Sequence, residues 1–175
     1  ISFGDCQVLY RETIAEEVVG YGHYEPLRHY AEVHLRLSPA PRGSGISFDS
    51  ECPTDILAQN WQNLVRTHVF EKKHKGVLTG SELCDVKVTL LTGRSHLKHT
   101  EGGDFREATY RAIRQGLEQL LHQDKMILLE PYYAFSISLE SDQAGRLMAD
   151  LQRMECSFGS PQMEEERMIL EGRGP

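Results

Sequence analysis

The chain has 175 residues, 39% hydrophobic and 26% charged, enough for a buried core in one domain or a domain and a half. Its net charge of −7 excludes a protein that coats nucleic acid through a general excess of lysine and arginine. No apolar run reaches membrane-spanning length, and the opening Ile1-Ser2-Phe3-Gly4-Asp5 has neither the basic nor the apolar region of a secretory signal. A start at Ile1 rather than Met fits a piece of a longer protein. Cys6, Cys52, Cys84 and Cys156 are irregularly spaced with no CxxC pair, which predicts reduced, structural thiols in a cytoplasmic protein.

Gln7 to Thr13 alternates enough for a strand, with Val8 and Tyr10 on one face. A turn is expected from Tyr21 through Pro26 to Arg28. Ala31, Val33, Leu35 and Leu37 then alternate with Glu32, His34 and Arg36 as a half-buried strand. Pro39, Pro41, Gly43 and Gly45 break that ladder before a short strand over Ile46 to Phe48. From Thr54, a candidate N-cap, the period becomes helical, with Ile56, Leu57, Trp61, Leu64, Val65 and His68 on one face.

Gly76 and Gly80 precede a strand in which Val86, Val88 and Leu90 face opposite to Asp85, Lys87 and Thr89. A surface loop spans Gly93 to Gly103. A helix follows from Asp104, where Asp104 and Glu107 have capping-box spacing, and runs through Ala112, Ile113, Leu117, Leu120 and Leu121. Past Leu128 and Pro131, Tyr133, Phe135, Ile137 and Leu139 form another alternating strand. Ser141 is expected to cap a third helix marked by Ala144, Leu147, Met148 and Leu151. Strand-like pieces near Cys156 and at Arg167 to Leu170, interrupted at Gly159-Ser160-Pro161, complete a β-α-β-β run. Residues 1–125 therefore read as an α+β domain and 126–175 as a truncated second one.

Enzyme signatures are weak. Neither the phosphate-loop pattern, GxGxxG nor GxSxG occurs, and no cysteine sits in an electropositive helix start. His96 and His99, with a carboxylate, are the candidate ligands of a stand-alone metal-dependent hydrolase, but a catalytic zinc needs three fixed ligands. Two basic segments stand out, Lys72-Lys73-His74-Lys75 and Arg94-Ser95-His96-Leu97-Lys98-His99. In the second, Arg94 and Lys98 can neutralise phosphates, while His96 and His99 can donate hydrogen bonds or stack on exposed bases. Arg28 and His29 are further RNA-contact candidates, in a turn able to share that end of the sheet. On composition alone a plain solvated loop stays open, as does a protein-interaction domain with no RNA role.

Gly76-Val77-Leu78-Thr79-Gly80, then Asp85 to Leu90 and Thr92-Gly93, resemble domain IV of elongation factor G, as does Tyr10-Arg11-Glu12-Thr13-Ile14. Leu128-Leu129-Glu130-Pro131 resembles the entry to its domain V. Pro41 to Gly45, Gly103 to Arg106 and Leu128 to Phe135 resemble the tetracycline-resistance ribosomal protection proteins, a side branch of that family.

The resemblance implies a domain IV-type β-α-β sandwich with a left-handed crossover, followed by a truncated ferredoxin-like β-α-β-β segment. It also implies a parent translational GTPase using GTP and Mg on a domain outside this chain, with no catalytic site or cofactor here. The implied partner is the ribosome, through small-subunit rRNA at the decoding region, with no role for membrane or DNA. The implied action is translocation or ribosomal protection from tetracycline. His96 falls where elongation factor G places its tip histidine. The loop has neither the acidic residues typical of that factor nor the aromatic and proline of the protection proteins; Leu97, Lys98 and His99 stand there instead.

Overall fold

Alternating burial builds the central sheet, and the computed structural model describes it within residues 8–160, 162–164 and 167–175. Tyr10–Leu129 forms one compact unit, and Glu130–Pro175 makes up most of a second. In chain order the first unit contains β1 (Arg11–Ile14), β2 (Val18–Tyr24), β3 (Ala31–Pro39), β4 (Ile46–Ser50), α1 (Gln59–Phe70), β5 (Glu82–Leu83), β6 (Val86–Ser95), α2 (Gly102–His122) and β7 (Met126–Leu129). The main sheet has the order β2-β3-β6-β4, antiparallel except for the parallel β4–β6 pair. A smaller sheet has the order β5-β1-β7.

Val33, Leu35 and Leu37 of β3 and Val86, Val88 and Leu90 of β6 are buried, as their alternation requires. Each such side chain contributes about 1.5–3 kcal/mol on leaving water. They join the buried face of α2, made by Phe105, Ala108, Ala112, Ile113, Leu117 and Leu120, in one core. Trp61 of α1 stacks on Phe105 with ring centroids 5.3 Å apart.

β2 overturns the expected turn at Tyr21, since the strand continues to Tyr24. Its inward residues after Val18 are Gly20 and Gly22, which carry no apolar signal. They serve by being small. A Cβ on Gly20 would collide with the Ala112 carbonyl oxygen, and one on Gly22 with that of Ala108. On the helix side, a Cβ on Gly116 would lie 3.4 Å from the Gly20 Cα. The backbones of β2 and α2 therefore meet directly, a known use of glycine in strands.

Other boundaries also move. β1 begins at Arg11, with Val8 and Tyr10 exposed before it; Gln7 lies outside the described residues. Helix α1 begins at Gln59, not near Thr54, because the Ile56 and Leu57 amides both donate to the Pro53 carbonyl at 3.1 Å and close a separate turn. Ile56 is consequently exposed, while Leu57 is buried. β7 pairs along the whole of β1, so the first unit runs through Leu129 and past the boundary expected at 125.

Buried carboxylates organise the connecting loops. Glu12 is fully buried and accepts from the Leu78, Thr79 and Ser81 amides at 2.7, 3.2 and 2.8 Å. The Gly76–Gly80 motif thus wraps around a carboxylate. Asp85, at φ 56°, accepts from the Gly43 and Gly45 amides at 3.1 and 3.0 Å and shapes the Pro41–Gly45 break. Hydrogen bonds to an ionised acceptor are about twice as strong as neutral ones.

The two helices are latched by Glu71 just past α1. It accepts from the Tyr110 hydroxyl, from Arg106 Nε at 3.1 Å and from His68 Nδ1 at 3.1 Å. These bonds, Tyr110's first, hold the Glu71 carboxyl below its ordinary value. Burial, and then the bond to Glu71, push the Tyr110 phenol up to about 12.

The second unit contains β8 (Tyr133–Glu140), a 3-10 turn (Ser141–Gln143), α3 (Ala144–Arg153), β9 (Ser157–Phe158), β10 (Gln162–Glu164) and β11 (Arg167–Gly174). β11 pairs antiparallel with β8 on one side and with β10 and β9 on the other. Leu151 and Leu170 are its buried centre, with Phe135, Ile137, Leu139, Leu147 and Met148 packed around them. The expected β-α-β-β order of a truncated ferredoxin-like segment is present, with β10 as an additional short strand before β11. The intervening 3-10 turn puts Gln143, not Ser141, at the N-cap of α3. Pro161 of the expected break lies outside the described residues.

Gly22→Ala should lower unfolding free energy by roughly 2–3 kcal/mol through overpacking. Gly103→Ala meets nothing within 4 Å and should raise it by up to about 1 kcal/mol through helix propensity. Urea denaturation checks both. The elevated native value for Tyr110 means that its neutral phenol stabilises the fold fully below about pH 10. That contribution is lost as pH rises toward 12. Tyr110→Phe should flatten this alkaline dependence, read by thermal melts across the window.

Candidate nucleic-acid interface

A β-bulge re-aims the end of β6. His34 pairs with Thr92 but Leu35 pairs with Leu90, leaving Leu91 as the extra residue. Even-numbered β6 residues point into the core up to Leu90; beyond the bulge the parity reverses. Gly93 now faces inward, where a Cβ would lie 2.8 Å from Leu57 Cδ2, and Arg94 is exposed. The strand continues through Ser95 and α2 starts at Gly102, so the loop is shorter than the expected 93–103.

The loop is internally tied. Thr100 N donates to the His96 carbonyl at 3.1 Å, and His96 N donates to Thr100 Oγ1 at 2.6 Å. Lys98 N donates to His96 Nδ1 at 3.2 Å, so a neutral His96 ring carries its proton on Nε2. The His96 and His99 rings stack, centroids 4.6 Å apart and 22° between planes. Leu97 is fully exposed at the apex.

The turn holding Arg28 and His29 adjoins this loop. Tyr30 N donates to the His99 carbonyl at 2.9 Å, and Thr100 Oγ1 donates to the Tyr30 carbonyl at 2.8 Å. All six candidates, Arg94, His96, Lys98, His99, Arg28 and His29, therefore gather at one end of the main sheet. Arg28 adopts φ 66°, a conformation uncommon for a non-glycine residue, and is exposed.

The six do not share one role. His29 Nδ1 lies 2.8 Å from Asp104 Oδ1, and the buried Asp104 also accepts from Glu101 N at 2.8 Å. Asp104 is therefore the third residue of α2, not its cap, and Glu101 holds the N-cap position. His29 bolts the turn to the helix start. Arg28, Arg94 and Lys98 form no ion pair among the described residues.

Neighbours that sequence reasoning missed extend this surface. Arg94 lies over the Tyr30 ring at 5.9 Å, Tyr30 meets His23 edge-on at 5.4 Å, and Tyr21 meets His34 at 4.7 Å. Burial, then the bond to Glu32, raises the Tyr30 phenol above its ordinary value; the hydrogen bond from His34 chiefly lowers Glu32. Leu27 and Leu97 are exposed apolar residues on the two loops. An apolar residue within a run of charge was the signal available for Leu97; nothing local marked Tyr30.

No group of three or more His, Cys, Asp or Glu residues is arranged to hold a metal among the described residues. Among them Cys52, Cys84 and Cys156 are free thiols, and burial pushes Cys52 and Cys84 above the ordinary value. Cys6 lies outside the described residues. No described helix is long and apolar enough to cross a membrane.

Residues 6–119 match the family Elongation factor G, domain IV. The chain belongs to that family. It is 27% identical over its whole length to the tetracycline resistance protein TetP of Clostridium perfringens. Over 86% of its length it is 27% identical to an elongation factor G-like protein of Thermotoga maritima. It spans 26% and 22% of those relatives. A solved structure from Thermus thermophilus superposes on 99% of the chain with a TM-score of 0.87 and 24% identity, and the chain covers 26% of it. The expected domain IV-type fold is thus shown.

Asp104→Ala removes the acceptor shared by Glu101 and His29. Hydrogen exchange should show protection lost at the Glu101 amide, and a global stability loss of about 1–3 kcal/mol. Unchanged exchange at Glu101 would mean that the carboxylate does not set the helix start.

Proposed function

We propose that this chain is the ribosome-contacting part of a translational GTPase, with the 24–30 and 96–101 loops entering the decoding region of the small subunit. The observation that carries the reading is the convergence of Arg28, Arg94 and Lys98, none of them ion-paired among the described residues, on one tied double loop in a domain IV fold. Cations there neutralise rRNA phosphates, the stacked His96 and His99 offer a flat face and ring donors, and Leu27 and Leu97 can wedge against exposed bases.

GTP and Mg would act on a domain outside this chain, and the fragment itself contributes position rather than chemistry. Its action would be translocation or displacement of bound tetracycline; one relative is named for tetracycline resistance and another as elongation factor G-like, which keeps both actions in the proposal. A cytoplasmic location follows from that role. A metal-dependent hydrolase finds no support in the stacked pair, because rings packed face to face do not converge their nitrogens on one ion.

The chain should co-sediment with small ribosomal subunits at low salt. Arg94→Ala, His96→Ala and Lys98→Ala together should weaken this roughly tenfold or more, and the salt dependence should drop with the lost phosphate contacts. Equal co-sedimentation of wild type and triple variant at every salt concentration would remove the tip from the interface.

A further inference from the structure

The second basic segment, Lys72-Lys73-His74-Lys75, leads into a cleft of about 800 Å³ against the middle of α2. Lys72, Lys73 and Lys75 line it together with Arg111 and Arg114 of α2. The three lysines are exposed and form no ion pair among the described residues. The one acid lining the cleft, Glu118, is bonded to Arg114 at 3.1 Å. In a chain where 26 acidic residues outnumber 19 basic ones, this is a local inversion of charge.

The cationic segment is also held in place. His74 is buried, with Nε2 2.9 Å from the Val69 carbonyl and its ring edge-on to Tyr110 at 5.6 Å. Lys72 Nζ sits 3.9 Å above the Tyr110 ring, whose hydroxyl is tied to Glu71. Next along the chain, Gly76 is buried over Glu12, where any Cβ would collide with the carboxylate. Arg111 reaches back to the His23 carbonyl at 3.0 Å and lies over Tyr24 at 5.0 Å. The backbone carrying the charges is therefore fixed before any ligand arrives, which lowers the entropy cost of binding.

We infer that this cleft is a second RNA-binding site, taking the backbone of a single strand across α2. Cations from the 72–75 segment and from α2 suit successive phosphates, and the half-buried Val77 among them offers an apolar surface for a base. A small anion would need only one of those two groups. The inference does not depend on the tip loops, which supply none of the lining residues.

The test is binding of the full chain to a labelled oligouridylate of about a dozen nucleotides, followed by fluorescence anisotropy across a salt series. Lys72→Gln, Lys73→Gln and Lys75→Gln together should weaken binding about tenfold. The slope of log affinity against log salt should become shallower by about 2, at about 0.7 per phosphate contact on a single strand. These side chains are exposed, so the thermal melt should shift only by the small contribution of the Lys72–Tyr110 contact, which Lys73→Gln with Lys75→Gln alone leaves in place. Arg94→Gln with Lys98→Gln should leave that loss intact when combined with the cleft changes. No binding by wild type, equal affinity and slope in the cleft variant, or loss only in the tip variant would each overturn the site. Displacement of the RNA by pyrophosphate at equal phosphate concentration would overturn it in favour of a small-anion site.

Discussion

The backbones of β2 and α2 meet directly at Gly20 and Gly22 against Ala108, Ala112 and Gly116. With no side chain at the glycines to separate them, helix and strand settle at a distance that no larger residue permits. That distance sets the height of the helix over the sheet. It places Asp104, at the first turn, within reach of His29, and Arg111, further along, within reach of the His23 carbonyl. The tip and the basic cleft therefore share one scaffold. A helix lifted by a methyl group would disturb both ends of the arrangement through rigid displacement, because a packed interior does not absorb such a volume.

Carboxylates buried in this unit act as loop organisers. Glu12 gathers the amides of Leu78, Thr79 and Ser81, Asp85 those of Gly43 and Gly45, and Asp104 joins the turn of His29 to the start of α2. Each of these part-buried bonds contributes about 0.5–1.5 kcal/mol net to holding its loop in place. The short motifs by which the family resemblance enters the sequence, Gly76 to Gly80 and Pro41 to Gly45, are the same segments that wrap these acids. Those segments therefore have a structural role in this chain whatever functional one they carry.

Charge is distributed unevenly over this acidic chain. Many surface cations are paired with acids, as in Arg36 with Glu51 at 2.6 Å and Lys125 with Glu16 at 2.9 Å. The unpaired ones at the tip and at the cleft are grouped. For a polyanionic partner this arrangement is selective: the acidic remainder repels nucleic acid, so that contact is favourable only where cations gather.

Sequence alone determined the alternation of β3 and β6, the apolar face of α2, the break at Pro39 to Gly45 and, apart from the added β10, the strand and helix order of the second unit. These rest on local periodicity, which burial converts directly into structure. It also marked the tip by composition. The continuation of β2 was illegible, because glycines chosen for closeness resemble glycines chosen for turning. The start of α1 was misread because Ile56 and Leu57 fit a helical stripe although their amides close a turn on Pro53. The outward aim of Arg94 was hidden in a bulge at Leu91, visible only as a register shift between paired strands. Only the tertiary structure brought the turn of Arg28 against the loop of Lys98, and Lys73 into the same cleft as Arg114, because each is joined by long-range packing that no window of neighbouring residues contains.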